Sequence, residues 1–166
     1  MILMADAENV ETVKAQEKKP RRAKKPSAKK EAKIVRISGK RKEAVARATV
    51  KQGTGVVRVN GVRMDMLEPR ERRHLMLEPL ILSDLSRSLS KGVDIDVEVK
   101  GGGFSSQAQA VRSAIAKGLI EFTGSGALKG EYLKYDRFIV VDDSRRVEPK
   151  KYLGPKARAR FQTSYR

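Results

Sequence analysis

The run from Val93 to Phe122 constrains the fold of this chain more than any other stretch. VDIDVEVK, Val93 to Lys100, alternates apolar and charged residues with period two. Successive side chains of a strand point to opposite faces, so Val93, Ile95, Val97 and Val99 form a core-facing row and Asp94, Asp96 and Glu98 an outward one. Gly101, Gly102 and Gly103 follow directly. After them Ala108, Val111, Ile115, Leu119 and Phe122 recur at helical spacing, which predicts the longest helix over residues 105–122, with Ser105 or Ser106 as its cap. A strand with one apolar face running into a helix with one apolar stripe implies a sheet with helices packed on it.

Two readings of the glycines stand side by side. They serve a tight strand-to-helix corner, or they expose the first N–H groups of the helix as a seat for phosphate, from RNA or from a nucleotide. The nucleotide reading lacks a Lys-Ser/Thr after the glycines and lacks the GxGxxG spacing. Arg112 and Lys117 lie off the apolar stripe, where they can reinforce such a seat.

The remaining elements are shorter. VARATV, Val45 to Val50, alternates as a half-buried strand; Gly53-Thr54-Gly55 turns, and Val56 to Val59 is the returning strand. Asn60-Gly61 has the composition of a two-residue primed turn, with a brief pairing at Val62 to Met64 beyond it. Pro69 opens a short helix that ends by Glu78, before Pro79. Leu80, Ile81 and Leu82 are expected in the core. Gly124-Ser125-Gly126 ends the long helix, Ala127 to Tyr135 holds another turn or two, and Arg137 to Val141 reads as a short strand or packed extended run. His74, the only histidine, has no partners at ligand spacing and reads as a surface or partly packed residue rather than a metal ligand or base. The three acids of the 93–100 strand sit nearly 7 Å apart along it with no second cluster to complete a metal shell. Asp142-Asp143 lacks a histidine or nucleophile nearby and is expected to cap a turn or to pair with Arg145 and Arg146.

Charge limits the partners. The net charge is +17 over 166 residues. That much like charge calls for a polyanion, and no apolar run approaches the length that spans a bilayer. Cysteine is absent, so there is neither a disulfide framework nor a cysteine metal site. Residues 1–33 end in KAQEKKPRRAKKPSAKKEAK, a low-complexity basic extension expected to be disordered until bound. GKRKEAVARA, 39–48, places Lys40, Arg41, Lys42 and Arg47 on and before the first strand as a candidate RNA face. From Ser144 to Arg166 eight basic residues face a single acid, Glu148. Pro149 and Gly154-Pro155 break any helix there, and Tyr152, Leu153, Phe161 and Tyr165 are too irregular to form a face. Such a tail buries too little to order itself, whereas arginines can fork onto phosphates and rings can stack on bases. Its candidate RNA contacts are Arg145, Arg146, Lys150, Lys151, Lys156, Arg158, Arg160 and Phe161.

From about Ile34 onward the chain resembles the family of the universal ninth protein of the small ribosomal subunit. The resemblance rests on an ordered series: GKRKEAVARA at 39–48, VRVNG at 57–61, EPR at 68–70 with LEPL at 77–80, VEVKGGGFSSQAQAVRSAIAKGL at 97–119, and DDSRRVEPKKYLGPKARARFQTSYR at 142–166. The DDSRR…EPKK run and the Ser-Tyr-Arg ending resemble the archaeal and eukaryotic branch; bacterial members typically carry Ser-Lys-Arg there. The resemblance implies an α+β fold, a small mixed sheet with helices packed on it as a two-layer sandwich. It implies a globular RNA-binding body at 34–143 and an extended basic tail at 144–166. It further implies a cytoplasmic, non-enzymatic role without cofactor, metal or small-molecule substrate. The partners would be small-subunit ribosomal RNA in the head region, neighbouring small-subunit proteins, and the peptidyl-site tRNA, which Ser164, Tyr165 and above all Arg166 would approach. Gly101, Gly102, Gly103, Ser105, Ser106, Gln107 and Arg112 would contact RNA from the helix start. Two other readings stay open: a small-molecule kinase using the glycines for ATP, and a general architectural RNA binder without a tRNA role.

Overall fold

A computed structural model describes residues 33–162 and Ser164. The basic extension up to residue 32, and Tyr165 and Arg166, lie outside the described residues. Five strands, β1 (Ile34–Arg41), β2 (Ala44–Gln52), β3 (Val57–Val59), β4 (Val62–Arg63) and β5 (Val93–Lys100), form one sheet in the order β1-β2-β5-β3-β4. All neighbours are antiparallel except β3 and β5, which run parallel, so the sheet is mixed. Five helices accompany it: α1 (Arg70–Ile81), α2 (Asp84–Ser90), α3 (Phe104–Thr123), α4 (Gly126–Tyr135) and α5 (Arg137–Val140). The expected α+β architecture is present.

The long helix α3 lies on one face of β1, β2 and β5, and α1 packs against it. Its buried residues Ala108, Val111, Ile115 and Leu119 meet Val50, Ile95, Val97 and Val99 in a single core. Small residues let the two layers come close. Ala44, Ala46 and Ala48 carry the core face of β2 although alanine is a poor strand former, because a larger side chain would hold the helix off. At Gly39 an added Cβ would collide with the Ala110 carbonyl and sit 2.6 Å from Ser113 Oγ and 2.7 Å from Ala114 N.

Four expectations are corrected. The strand after Gly53-Thr54-Gly55 does not return along β2. Gly53 N donates to Gly92 O, Ile95 N donates to Val56 O, and Asp94 Oδ1 accepts from the backbone N–H groups of Thr54, Gly55 and Val56 at 2.7 to 3.0 Å. These bonds carry the loop across the start of β5, so β3 lands on β5's other edge. Helix α1 continues through Pro79 to Ile81. Proline forfeits one hydrogen bond there, but Pro79 and Leu80 are buried and Tyr132 Oη donates to the Pro79 carbonyl at 2.7 Å. Ile81, expected in the core, is exposed, since it falls on the opposite side of that continued helix. Arg137 to Val140 is one helical turn, opened by the Asp136 carboxylate accepting from Phe138 N at 2.8 Å, with Ile139 buried.

Two elements have no counterpart in the sequence reading: β1 and α2. The latter is opened by Ser83 and Ser86, each side-chain oxygen accepting from the other's backbone N–H. The Asn60-Gly61 turn has positive φ at both residues, 50° and 81°, as expected, and His74 is exposed.

Gly39→Ala is expected to cost about 1–3 kcal/mol, because backbone atoms of α3 must move to admit the methyl. Gly130→Ala, at a helical position in α4 with no atom within 4 Å of the added carbon, should stabilise by roughly 0.5–1 kcal/mol. Urea unfolding of the two variants checks both signs.

Candidate nucleic-acid interface

The close approach of α3 to the β1–β2 hairpin places three sequence-distant segments in one corner. Lys42 and Glu43 form the hairpin turn, with Lys42 at φ 54°. Gly101 and Gly102 turn with φ 76° and 66° directly against it. A Cβ on Gly101 would stand 2.6 Å from the Glu43 carbonyl, and one on Gly102 would stand 3.0 Å from Ala44 N. Positive φ and contact with backbone both demand glycine. The start of the tail passes the same place, where Arg146 Nη1 donates to the Lys42 carbonyl at 3.3 Å. Lys42, Glu43, Gly102, Gly103, Ser106 and Arg146 line one hollow there. An adjoining one is lined by Arg41, Lys42, Gly103, Phe104 and Ser105.

The helix start is arranged by its own side chains. Gly103 is the N-cap residue; Ser106 Oγ accepts from Gly103 N at 3.0 Å and donates to Gly103 O at 2.8 Å. Of the two serines, Ser106 does the capping, from inside the first turn, and Ser105 is exposed. Gln107 is a brace. Its Nε2 donates to the Gly101 carbonyl at 3.2 Å, and its Oε1 accepts from Arg72 Nη2 of α1 at 3.3 Å. Phe104, which the sequence reading passed over, opens the helix with 68% of its surface exposed. Its signal was an aromatic residue ahead of the apolar stripe and out of phase with it.

Other candidate cations are held by the protein's own carboxylates. Arg112 is 13% exposed and meets Glu78 Oε2 at 2.5 Å and Asp136 Oδ2 at 2.9 Å, joining α1, α3 and the α4–α5 junction. Arg41 points to the helix side of the sheet, with Nε on Gln109 Oε1 at 2.6 Å and Nη1 on Asp143 Oδ2 at 2.5 Å. Lys117 pairs with Asp142 at 2.6 Å. Arg47 sits apart, on the outer face of the sheet, in a hollow with Arg36, Asp96 and Glu98. Lys40 stands on the edge strand beside Arg145. Strand alternation puts Arg41 on the opposite face of the sheet from Lys40 and Arg47, so the three do not form one cluster.

In the tail, Ser144 to Gln162 carries neither helix nor strand, and Val147, Tyr152, Leu153 and Phe161 are exposed. Arg145 binds Asp143, as the sequence suggested for the acidic pair, whereas Arg146 goes to the Lys42 carbonyl. Arg158 forms two hydrogen bonds to Glu148, at 3.0 and 2.8 Å, in an exposed pair that solvent screens and weakens. Among the described residues Arg146, Lys150, Lys151, Lys156 and Arg160 have no carboxylate within ion-pair distance. Nor do the described residues contain a group of His, Cys, Asp or Glu able to hold a metal, or a helix long and apolar enough to cross a membrane.

Residues 39–166 match the family described as Ribosomal protein S9/S16. The chain belongs to the ribosomal protein S9/S16 family. It is similar to the small ribosomal subunit protein uS9 of Methanothrix thermoacetophila, 48% identical over 134 residues that make up 81% of this chain and 99% of that one. It is likewise similar to the protein of the same name from Halobacterium salinarum, 49% identical over 133 residues, 80% of this chain and 99% of the other. The S9/S16 family is structural and not enzymatic, which removes the kinase reading. Within this member of it, the matched span contains the hairpin turn, the glycine corner, α3 and the tail.

Asp143 carries a clear electrostatic signature. Hydrogen bonds from the Arg145 side chain, then from its backbone N–H, with the charge of Arg41 adding, hold its carboxyl at about 2 against an ordinary 3.8. The charged form is favoured in the folded state, so its stabilising contribution is complete above about 3.8 and is lost as pH falls through about 2. Destabilisation by Asp143→Asn, followed by urea unfolding, should therefore be present near neutral pH, shrink below about 3.8 and be lost as pH falls through about 2.

Proposed function

We propose that this protein binds small-subunit ribosomal RNA through the Lys42–Gly103–Arg146 corner and through its basic tail, and that the tail's end approaches the peptidyl-site tRNA. As an S9/S16 member it is a structural protein of the small subunit of the cytoplasmic ribosome. The observation that carries the RNA reading is the placement of charge. The cations inside the body are matched by carboxylates, while those of the corner and most of those of the tail are exposed and unmatched among the described residues. Unmatched arginine and lysine on an irregular, solvent-facing segment suit phosphates, which fix position without reading sequence.

The division of labour follows. The body at 34–143 acts as the anchor and offers backbone N–H groups at the start of α3 together with Lys42 and Arg146. The tail at 144–166 runs between RNA helices, where Lys150, Lys151, Lys156, Arg158 and Arg160 neutralise phosphates. Arg158 leaves Glu148 at little cost, because an exposed pair is weak. Phe104 and Phe161 offer rings to unstacked bases. Neighbouring small-subunit proteins complete the surroundings. The tRNA contact, by Ser164, Tyr165 and Arg166, is supported by the resemblance of the Ser-Tyr-Arg ending.

If about six phosphates are neutralised, log affinity for small-subunit RNA should fall against log salt with a slope of roughly −4 to −5. Replacing Lys150, Lys151 and Lys156 by Gln should flatten that slope by roughly 2–3. Phe104→Leu should instead weaken binding at every salt concentration and leave the slope intact. Filter binding measures all three, and a slope near zero for the unmodified protein would refute the reading. Deleting Phe161 to Arg166 should preserve ribosome association but lower tRNA affinity at the peptidyl site about tenfold, the scale of one charge-assisted contact. Unchanged tRNA affinity would remove the tRNA role and leave the general RNA-binding one.

A further inference from the structure

Acids at the root of a segment meant for phosphates oppose binding by simple charge. Asp142 and Asp143 stand where the tail joins the body, and both are bonded to side chains and backbone of the body. Asp142 Oδ1 accepts from Lys117 Nζ of α3 at 2.6 Å and from the backbone N–H of Lys40 on β1 at 3.3 Å. Asp143 Oδ2 meets Arg41 Nη1 of β1 at 2.5 Å, and Arg41 is itself held on α3 by Gln109. The Asp143 backbone also bridges Arg41 in parallel, adding one rung to the free edge of β1. Arg145 closes the set. Its N–H and its guanidinium bond Asp143 at 2.6 to 3.1 Å, and that guanidinium lies 5.3 Å from the centre of the Phe138 ring of α5.

Ties to β1, α3 and α5 thus orient the backbone at 142–145 in three directions. The Asp143 side chain is only 5% exposed and is flanked by two guanidinium groups, so its charge is neutralised where it stands. A segment whose root is oriented loses less freedom on binding than one that leaves the body in any direction. We propose that Asp142 and Asp143 are positioning residues for RNA binding: a clamp that aims the basic tail, so that two acids strengthen this chain's hold on a polyanion. Arg41 belongs to the same clamp and touches no RNA. This rests on the reading of the tail as an RNA ligand.

The sign of the effect separates the clamp from plain electrostatics. By charge alone, Asp142→Asn, Asp143→Asn or the pair would tighten binding to small-subunit RNA slightly, as would Asp84→Asn at an exposed acid of α2. The clamp predicts that the double variant binds about tenfold more weakly while Asp84→Asn does not. It also predicts that most of this loss disappears when Lys150, Lys151 and Lys156 have already been replaced by Gln, because the acids act through the tail. A readout without RNA uses the absence of native cysteine. Spin labels at Lys129→Cys on α4 and Ala159→Cys in the tail should give a distance distribution that broadens in the Asp142→Asn/Asp143→Asn chain. Thermal melts fix a temperature at which every variant is folded. An unchanged distribution, or affinity that holds or rises in the double variant, overturns the clamp. Absence of salt-dependent RNA binding by the unmodified chain overturns the function reading instead, and the label distances still decide whether the root is clamped.

Discussion

The rest of the structure depends on how closely α3 lies against β1 and β2. Gly39, the alanines of β2 and Gly118, whose added Cβ would stand 2.7 Å from Val50 Cγ2, remove the side chains that would otherwise separate helix from sheet. Interiors are packed near crystal density, so that spacing leaves no slack. With the helix so near, the chain must turn from β5 into α3 within three residues. That turn presses Gly101 and Gly102 against the Lys42-Glu43 turn. The corner where hairpin, helix start and tail root meet is a by-product of that packing distance.

Geometry then sorts the positive charges. Arg41, Arg112 and Lys117 project from the helix side of the sheet or from flanks of α3 that neighbouring elements cover. A cation there needs a carboxylate partner, and each has one: Asp143, Glu78 with Asp136, and Asp142. Lys42, Arg146 and the tail lysines lie where water reaches them and need no such partner. Residues that look alike in the sequence thus divide into those that hold the protein together and those left for a polyanion. The same sorting acts on the acids: Asp94, on the outward face of β5, anchors the loop at 53–56 and routes β3 across the sheet.

Much of this was legible. Period-two alternation located β2 and β5, and the spacing of Ala108, Val111, Ile115 and Leu119 located α3 to within a residue or two at either end. Asn60-Gly61 had one plausible turn. What escaped notice was non-local. The pairing of β3 with β5 depends on hydrogen bonds between residues some forty positions apart. Helix α1 persists through Pro79 because Tyr132, on another helix, satisfies the carbonyl at its end. The turn at Arg137 to Val140 has a strand-like composition and is helical because Asp136 caps it. Arg112 has the pattern of a surface cation, and only the arrival of Glu78 and Asp136 makes it an interior one.

By itself the sequence determined the kinds of element, the basic character of the tail and the absence of any cysteine chemistry, since these follow from local periodicity and composition. The tertiary structure alone decided which strands are neighbours, which cations are spent on internal acids, and where the tail leaves the body. Those outcomes depend on distances between residues far apart in the chain, and such distances exist only after the layers have packed.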